Sequence, residues 1–109
     1  MELTRGDSKA LYFRRMSKGQ PILTEANKVY FTVKKNYDIE EALFQKTKDD
    51  MTFDEEGYYH FTINPEDTNN LDYGDYVYDI EVKTANYTKT ISKGTLSITK
   101  EVTHKNNEV

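Results

Sequence analysis

The chain has 109 residues, 36% of them hydrophobic and 31% charged, with a net charge of −4. That length supports one domain with a thin core. The cations are scattered, Arg14 with Arg15, Lys34 with Lys35 and then single lysines, so there is no concentrated basic face of the kind that holds nucleic acid or an anionic membrane surface, and neither is an expected partner. The chain has no cysteine, which excludes disulfides, thiolate metal sites and cysteine nucleophiles. No apolar run approaches the roughly 20 residues of a membrane span. Met1-Glu2-Leu3-Thr4-Arg5 lacks the apolar stretch of a signal peptide, so synthesis in the cytoplasm without export by a cleaved signal is expected.

Alternation with a period of two dominates the chain, the signature of strands with one buried face. Leu11 and Phe13 alternate with Tyr12 and Arg14. Val29, Phe31 and Val33 alternate with Lys28, Tyr30, Thr32 and Lys34. The segment 38–46 is open to two readings. Asp38-Ile39-Glu40-Glu41 resembles a capping box for a short helix, while Ala42-Leu43-Phe44-Gln45-Lys46 reads as a strand and is preferred, because a two-turn helix depends on packing. Tyr59, Phe61 and Ile63 alternate with His60 and Thr62, and the run ends at Asn64-Pro65, since Pro65 cannot donate to a ladder. Tyr76, Tyr78, Ile80 and Val82 form the next inward row, and Thr84-Ala85-Asn86-Tyr87 closes a hairpin to the last strand. There Ile91 is out of phase with Leu96 and Ile98, and a bulge at Ser92-Lys93-Gly94 would absorb the extra residue. The pattern predicts an all-β domain over residues 1–102, a single β-sandwich of about seven antiparallel strands without a disulfide, followed by a frayed polar tail at 103–109.

Few residues argue for chemistry. His60 alternates opposite Phe61 and should face outward, and His104 lies in the tail; neither has a partner at metal-ligand spacing. The acidic stretch Asp49 to Glu56 does not match a calcium loop and reads as a solvated turn. Ser8, Ser17, Ser92 and Ser97 lack the surroundings of a nucleophile, and no glycine-rich phosphate loop is present. No catalytic residue, metal ligand or cofactor site is therefore assigned, and the expectation is a protein that is not an enzyme. Arg5-Gly6-Asp7 spells an adhesive tripeptide, but at the entry to a strand Gly6 reads as a turn or bulge glycine. Outward-facing tyrosines are the most informative surface feature. Tyr12, Tyr30 and Tyr58 are the candidate interface residues, because tyrosine is enriched where proteins meet. Lys34, Lys83 and Lys89, on predicted strands, are expected to protect sheet edges.

Leu71-Asp72-Tyr73-Gly74-Asp75-Tyr76 resembles the tyrosine corner of immunoglobulin-like sandwiches, with Tyr76 as the residue whose hydroxyl bonds back across the turn. Tyr78 stands where antibody domains have a cysteine, and tryptophan is absent, so the resemblance is to the architecture. In order along residues 3–102, Arg5-Gly6-Asp7-Ser8, Leu11-Tyr12-Phe13, Lys28 to Lys34, Leu43 to Thr47, Gly57 to Ile63, Gly74 to Ile80 and Gly94-Thr95-Leu96 resemble a small immunoglobulin-like structural protein of phages and prophages of Gram-positive bacteria. The pattern is similar to the N-terminal domain of siphophage upper baseplate proteins. The resemblance implies a non-enzymatic structural or assembly module of a tail, baseplate or neck. It would be made in the bacterial cytoplasm, enter the virion, and contact other virion or prophage proteins or further copies of itself. The alternative is a free-standing carbohydrate- or protein-binding module.

Overall fold

The computed structural model describes residues 1–101, and strand makes up 53% of the structure. The strands are β1 (Glu2–Thr4), β2 (Lys9–Arg14), β3 (Met16–Ser17), β4 (Gln20–Pro21), β5 (Lys28–Lys34), β6 (Phe44–Thr47), β7 (Thr52–Phe53), β8 (Tyr58–Ile63), β9 (Gly74–Lys83) and β10 (Thr88–Thr99). A 3-10 turn at Lys48–Asp50 and one helical turn, α1 (Pro65–Thr68), complete the described elements. The expected tail at 103–109, with His104, lies outside the described residues.

The all-β class follows from the alternation. In β5 the burial pattern is strict: Val29, Phe31 and Val33 are buried, and the residues between them are not. The strands form a curled five-stranded sheet in the order β1-β10-β9-β5-β6, a three-stranded sheet β2-β8-β7, and the small pair β3-β4. Strand number and direction differ from expectation. Among the described residues there are ten strands, several only two to four residues long, and β1 runs parallel to β10. Gly6, at φ 83°, turns the chain from β1 into β2, so these two strands belong to different sheets. The bulge in β10 falls between Thr90 and Ser92, earlier than the phase slip suggested, and leaves Ile91 partly buried against the core. Over 38–46 no helix forms. Asn36 Oδ1 accepts the Asp38 N–H at 2.9 Å, an Asx turn that competes with helix initiation, and the strand starts at Phe44. The chain after β8 does build a helical turn: Asn64 caps it, Pro65 takes the first position, and the Asp67 carboxylate accepts the Asn64 N–H at 2.7 Å.

The inward rows of the two larger sheets share one core. Phe31 from the five-stranded sheet meets Phe61 from the three-stranded sheet with ring centroids 4.9 Å apart. Tyr59 lies between Phe13, stacked at 5.1 Å, and Phe53 at 4.7 Å. Burying rings of this size contributes about 1.5–3 kcal/mol each, which matters in so polar a chain. Polar ties close the ends. The Tyr59 hydroxyl accepts the buried Ala26 N–H at 2.7 Å. Lys46 lies opposite Phe31 on the inward side of β6, and its ammonium reaches Asp67 at 2.7 Å, with both side chains largely buried. The Gly6 N–H donates to the fully buried Thr68 Oγ1 at 3.0 Å. The Tyr76 hydroxyl donates to the Asp72 carbonyl at 2.7 Å. Gly57 is a glycine of necessity: at φ 90°, a Cβ there would lie 2.6 Å from the Ile22 carbonyl oxygen.

Two substitutions test these ties. Tyr59→Phe keeps the ring and orphans the Ala26 N–H, so urea denaturation should show a loss of about 1–3 kcal/mol. Burial and the neighbouring Asp72 carboxylate push the Tyr76 phenol above its ordinary value of 10.0. Its contribution is therefore full below pH 10 and is lost as the pH rises through the higher folded value. Tyr76→Phe should cost about 1 kcal/mol at neutral pH and flatten the alkaline fall in melting temperature.

Candidate functional site

The most distinctive exposed group of side chains lies on the outer face of the three-stranded sheet. Strands β2 and β8 pair in one unbroken antiparallel register, with Tyr12 opposite His60 and Arg14 opposite Tyr58. Because Leu11, Phe13, Tyr59 and Phe61 point to the core, the pleat turns Tyr12, Arg14, Tyr58 and His60 to the other side. Tyr12 is 68% exposed. Its ring meets Tyr58 edge-on at 5.5 Å and His60 at 6.0 Å, and Tyr58 and His60 are 6.2 Å apart. The Arg14 guanidinium sits over the Tyr58 ring at 4.5 Å, a cation–π contact. Four side chains from two strands thus form one aromatic ledge with a cationic end.

Asp54 fixes this ledge from the β7–β8 turn. Its Oδ1 accepts the Glu56 and Tyr58 N–H groups, each at 2.9 Å, and its Oδ2 lies 2.8 Å from His60 Nε2. One carboxylate therefore sets the turn that starts β8 and the orientation of a ring on it. The hydrogen bond from His60, then those from the backbone, hold the Asp54 carboxyl below its ordinary value of 3.8. The acidic stretch around it is a structured turn, and among the described residues no group of three or more His, Cys, Asp or Glu side chains is placed to hold a metal ion. Beside the ledge, a groove of about 370 Å³ runs toward Lys46 and Asp50, lined also by Leu11, Tyr12, His60 and Phe61.

The structure joins two of the three tyrosines singled out from the sequence. Tyr12 and Tyr58 are neighbours on the ledge, whereas Tyr30 lies on β5 in the five-stranded sheet, opposite Glu81 and Thr47, with the Lys83 ammonium 5.8 Å from its ring. Arg14 and Asp54 were not legible as members of the site. Arg14 reads in sequence as one of two adjacent cations, and its neighbour Arg15 turns inward instead, donating to the Thr24 carbonyl at 2.6 Å. Tyr76 lies apart from this surface, buried at the start of β9. The Arg5-Gly6-Asp7 tripeptide is tied into the fold. Arg5 donates to the Leu71 carbonyl and the Tyr73 hydroxyl and packs 4.2 Å from the Tyr73 ring, so its guanidinium faces its own chain. Among the described residues no helix is long and apolar enough to cross a membrane.

The Asp54 geometry sets a pH dependence. A carboxyl held low in the folded state contributes stability above its unfolded value near 4, and that contribution is lost as the pH falls through the lower folded value. Asp54→Asn should therefore weaken the acid-side fall in melting temperature, and amide exchange at Tyr58 should speed up because the turn loses its anchor. Unchanged exchange in the variant would show that Asp54 does not order β8.

Comparison of the chain with models of protein families, with curated proteins and with solved structures finds no match.

Proposed function

We propose that this chain is a non-enzymatic docking module of a phage or prophage particle, an immunoglobulin-like β-sandwich that works through protein–protein contacts. The observation that carries this reading is the ordered ledge of Tyr12, Arg14, Tyr58 and His60, whose rings and guanidinium contact one another on one sheet face. Aromatic rings and an arginine held in place before binding are the side chains that dominate protein interfaces, because they bury large area with little further loss of freedom. The sandwich reading is supported by the strand orders β1-β10-β9-β5-β6 and β2-β8-β7, whose inner rows meet at Phe31 and Phe61, and by the Tyr76 to Asp72 bond at the turn into β9. The particle assignment rests on the resemblance carried by the order of motifs along residues 3–102. On this reading the chain is made in the bacterial cytoplasm and enters the particle there, without a cofactor.

The test is co-purification and calorimetry with the purified products of the genes next to its own. The expected result is a complex that Tyr58→Ala weakens by about 1–2 kcal/mol, with Tyr30→Ala, on the other sheet, leaving it unchanged. Saturable binding of a glycan at the ledge, with none of the proteins bound, would overturn the reading in favour of a carbohydrate-binding module.

A further inference from the structure

Open sheet edges invite pairing with another chain, and most edges here are guarded. β1 has three residues and β7 only two. β6 has four and turns the charged Lys46 inward. The part of β10 that extends past β1 carries Lys89, Lys93 and the bulge near Ile91. Of the lysines expected to guard edges, only Lys89 lies on an edge; Lys34 and Lys83 are on β5 and β9, each flanked by strands on both sides. β2 is the exception. It has six residues, no proline or glycine, no bulge and no charge at its centre. It pairs with β8 on one side, and among the described residues none of its backbone groups bonds to anything on the other.

We propose that this edge pairs with the same edge of a second copy, β2 against β2, antiparallel about a two-fold axis through Tyr12. The inference rests on reading the chain as an assembly module, and it names a second copy as a partner. The register follows from geometry. An axis perpendicular to the sheet keeps each face on its own side, so residues that meet must point the same way. Centring on Leu11 would set Lys9 against Phe13 on the core side. Centring on Phe13 would set Leu11 against Arg15, whose guanidinium is committed to Thr24. Centring on Tyr12 sets Leu11 against Phe13 twice on the core side. On the outer side, small Ala10 meets long Arg14 twice and the two Tyr12 rings lie together. The edge is thus self-complementary, as a two-fold interface requires. The product is a six-stranded sheet, β7-β8-β2-β2-β8-β7, in which two aromatic ledges become one.

Ala10 is exposed and faces outward, so charges placed there should leave the single copy folded while facing Arg14 of the other copy. Sedimentation of the whole chain over a wide concentration range should show a monomer–dimer equilibrium. Ala10→Lys should raise the dimer dissociation constant about tenfold and Ala10→Glu should lower it comparably, since each adds two cross-strand pairs with Arg14, repulsive for the lysine and attractive for the glutamate. Ala10→Lys combined with Arg14→Glu should restore dimerisation. Equal melting curves at low concentration would show that all variants fold. A monomer at every concentration, or variants that shift the equilibrium alike or leave it unmoved, would overturn the edge pairing. Tyr58→Ala separates the two readings, because Tyr58 lies on β8, off the paired edge. If partner binding depends on Tyr58 while the chain stays monomeric, only the edge pairing fails. If the chain dimerises through Ala10 and Arg14 but no protein docks at Tyr58, the docking reading fails.

Discussion

Phe31 and Phe61 come from different sheets and meet 4.9 Å apart, and the other features are arranged around that contact. A chain with 36% hydrophobic residues cannot afford two cores, so the inner rows of both sheets must converge on one. Phe44 and Tyr78 pack on Phe31 from its own sheet, and Phe13 packs on Phe61 from the other. Gly94 gives Tyr78 the room to do so, since a Cβ there would lie 3.0 Å from the Tyr78 hydroxyl. With the apolar layer this thin, polar groups near its rim need partners. They find them in Tyr59 with Ala26, Lys46 with Asp67, and Thr68 with Gly6.

The Lys46–Asp67 pair shows how stability and edge protection combine. A lysine on the inward side of an edge strand is costly unless paired, and the pairing carboxylate also closes the cap of α1. The same lysine spoils the edge of β6 for pairing with another chain. β2 has no such device. Its inward residues, Leu11 and Phe13, are only partly covered, and its outward residues include Tyr12, the most exposed ring of the ledge. The fold spends its protection on the five-stranded sheet and leaves the outer face and edge of the three-stranded sheet available for contact.

The ledge itself is a consequence of register. Tyr12 and His60 are 48 positions apart in the chain, and only the pairing of Lys9 with Ile63, carried without a slip to Arg14 with Tyr58, puts them opposite one another. Asp54 then ties the turn to His60 through one carboxylate, so the ledge is held in place by contacts within the chain itself. On the docking proposal, side chains held in this way would lose little freedom on binding.

Periodicity by itself determined the all-β class, the inward rows such as Val29-Phe31-Val33, and the outward direction of Tyr12 and His60, because the alternation of a pleated strand is a local property. Turn chemistry was legible where it is local too, as at Thr84–Tyr87, where the Thr84 N–H donates to the Tyr87 carbonyl at 2.8 Å. The tertiary structure decided the rest. Local signals could not tell a helix capped by Asp38 from a turn closed by the Asn36 side chain on the Asp38 N–H, since residues of this type serve both, nor show that Asn64-Pro65 starts a helical turn rather than merely ending a strand. They could not place the bulge at Ile91, which depends on how β9 and β10 share their ladder, or tell an edge lysine from a central one. Nor could they separate Tyr30 from Tyr12 and Tyr58: all three alternate alike, but sheet membership is set by which strands pair, and pairing is written in contacts between distant residues.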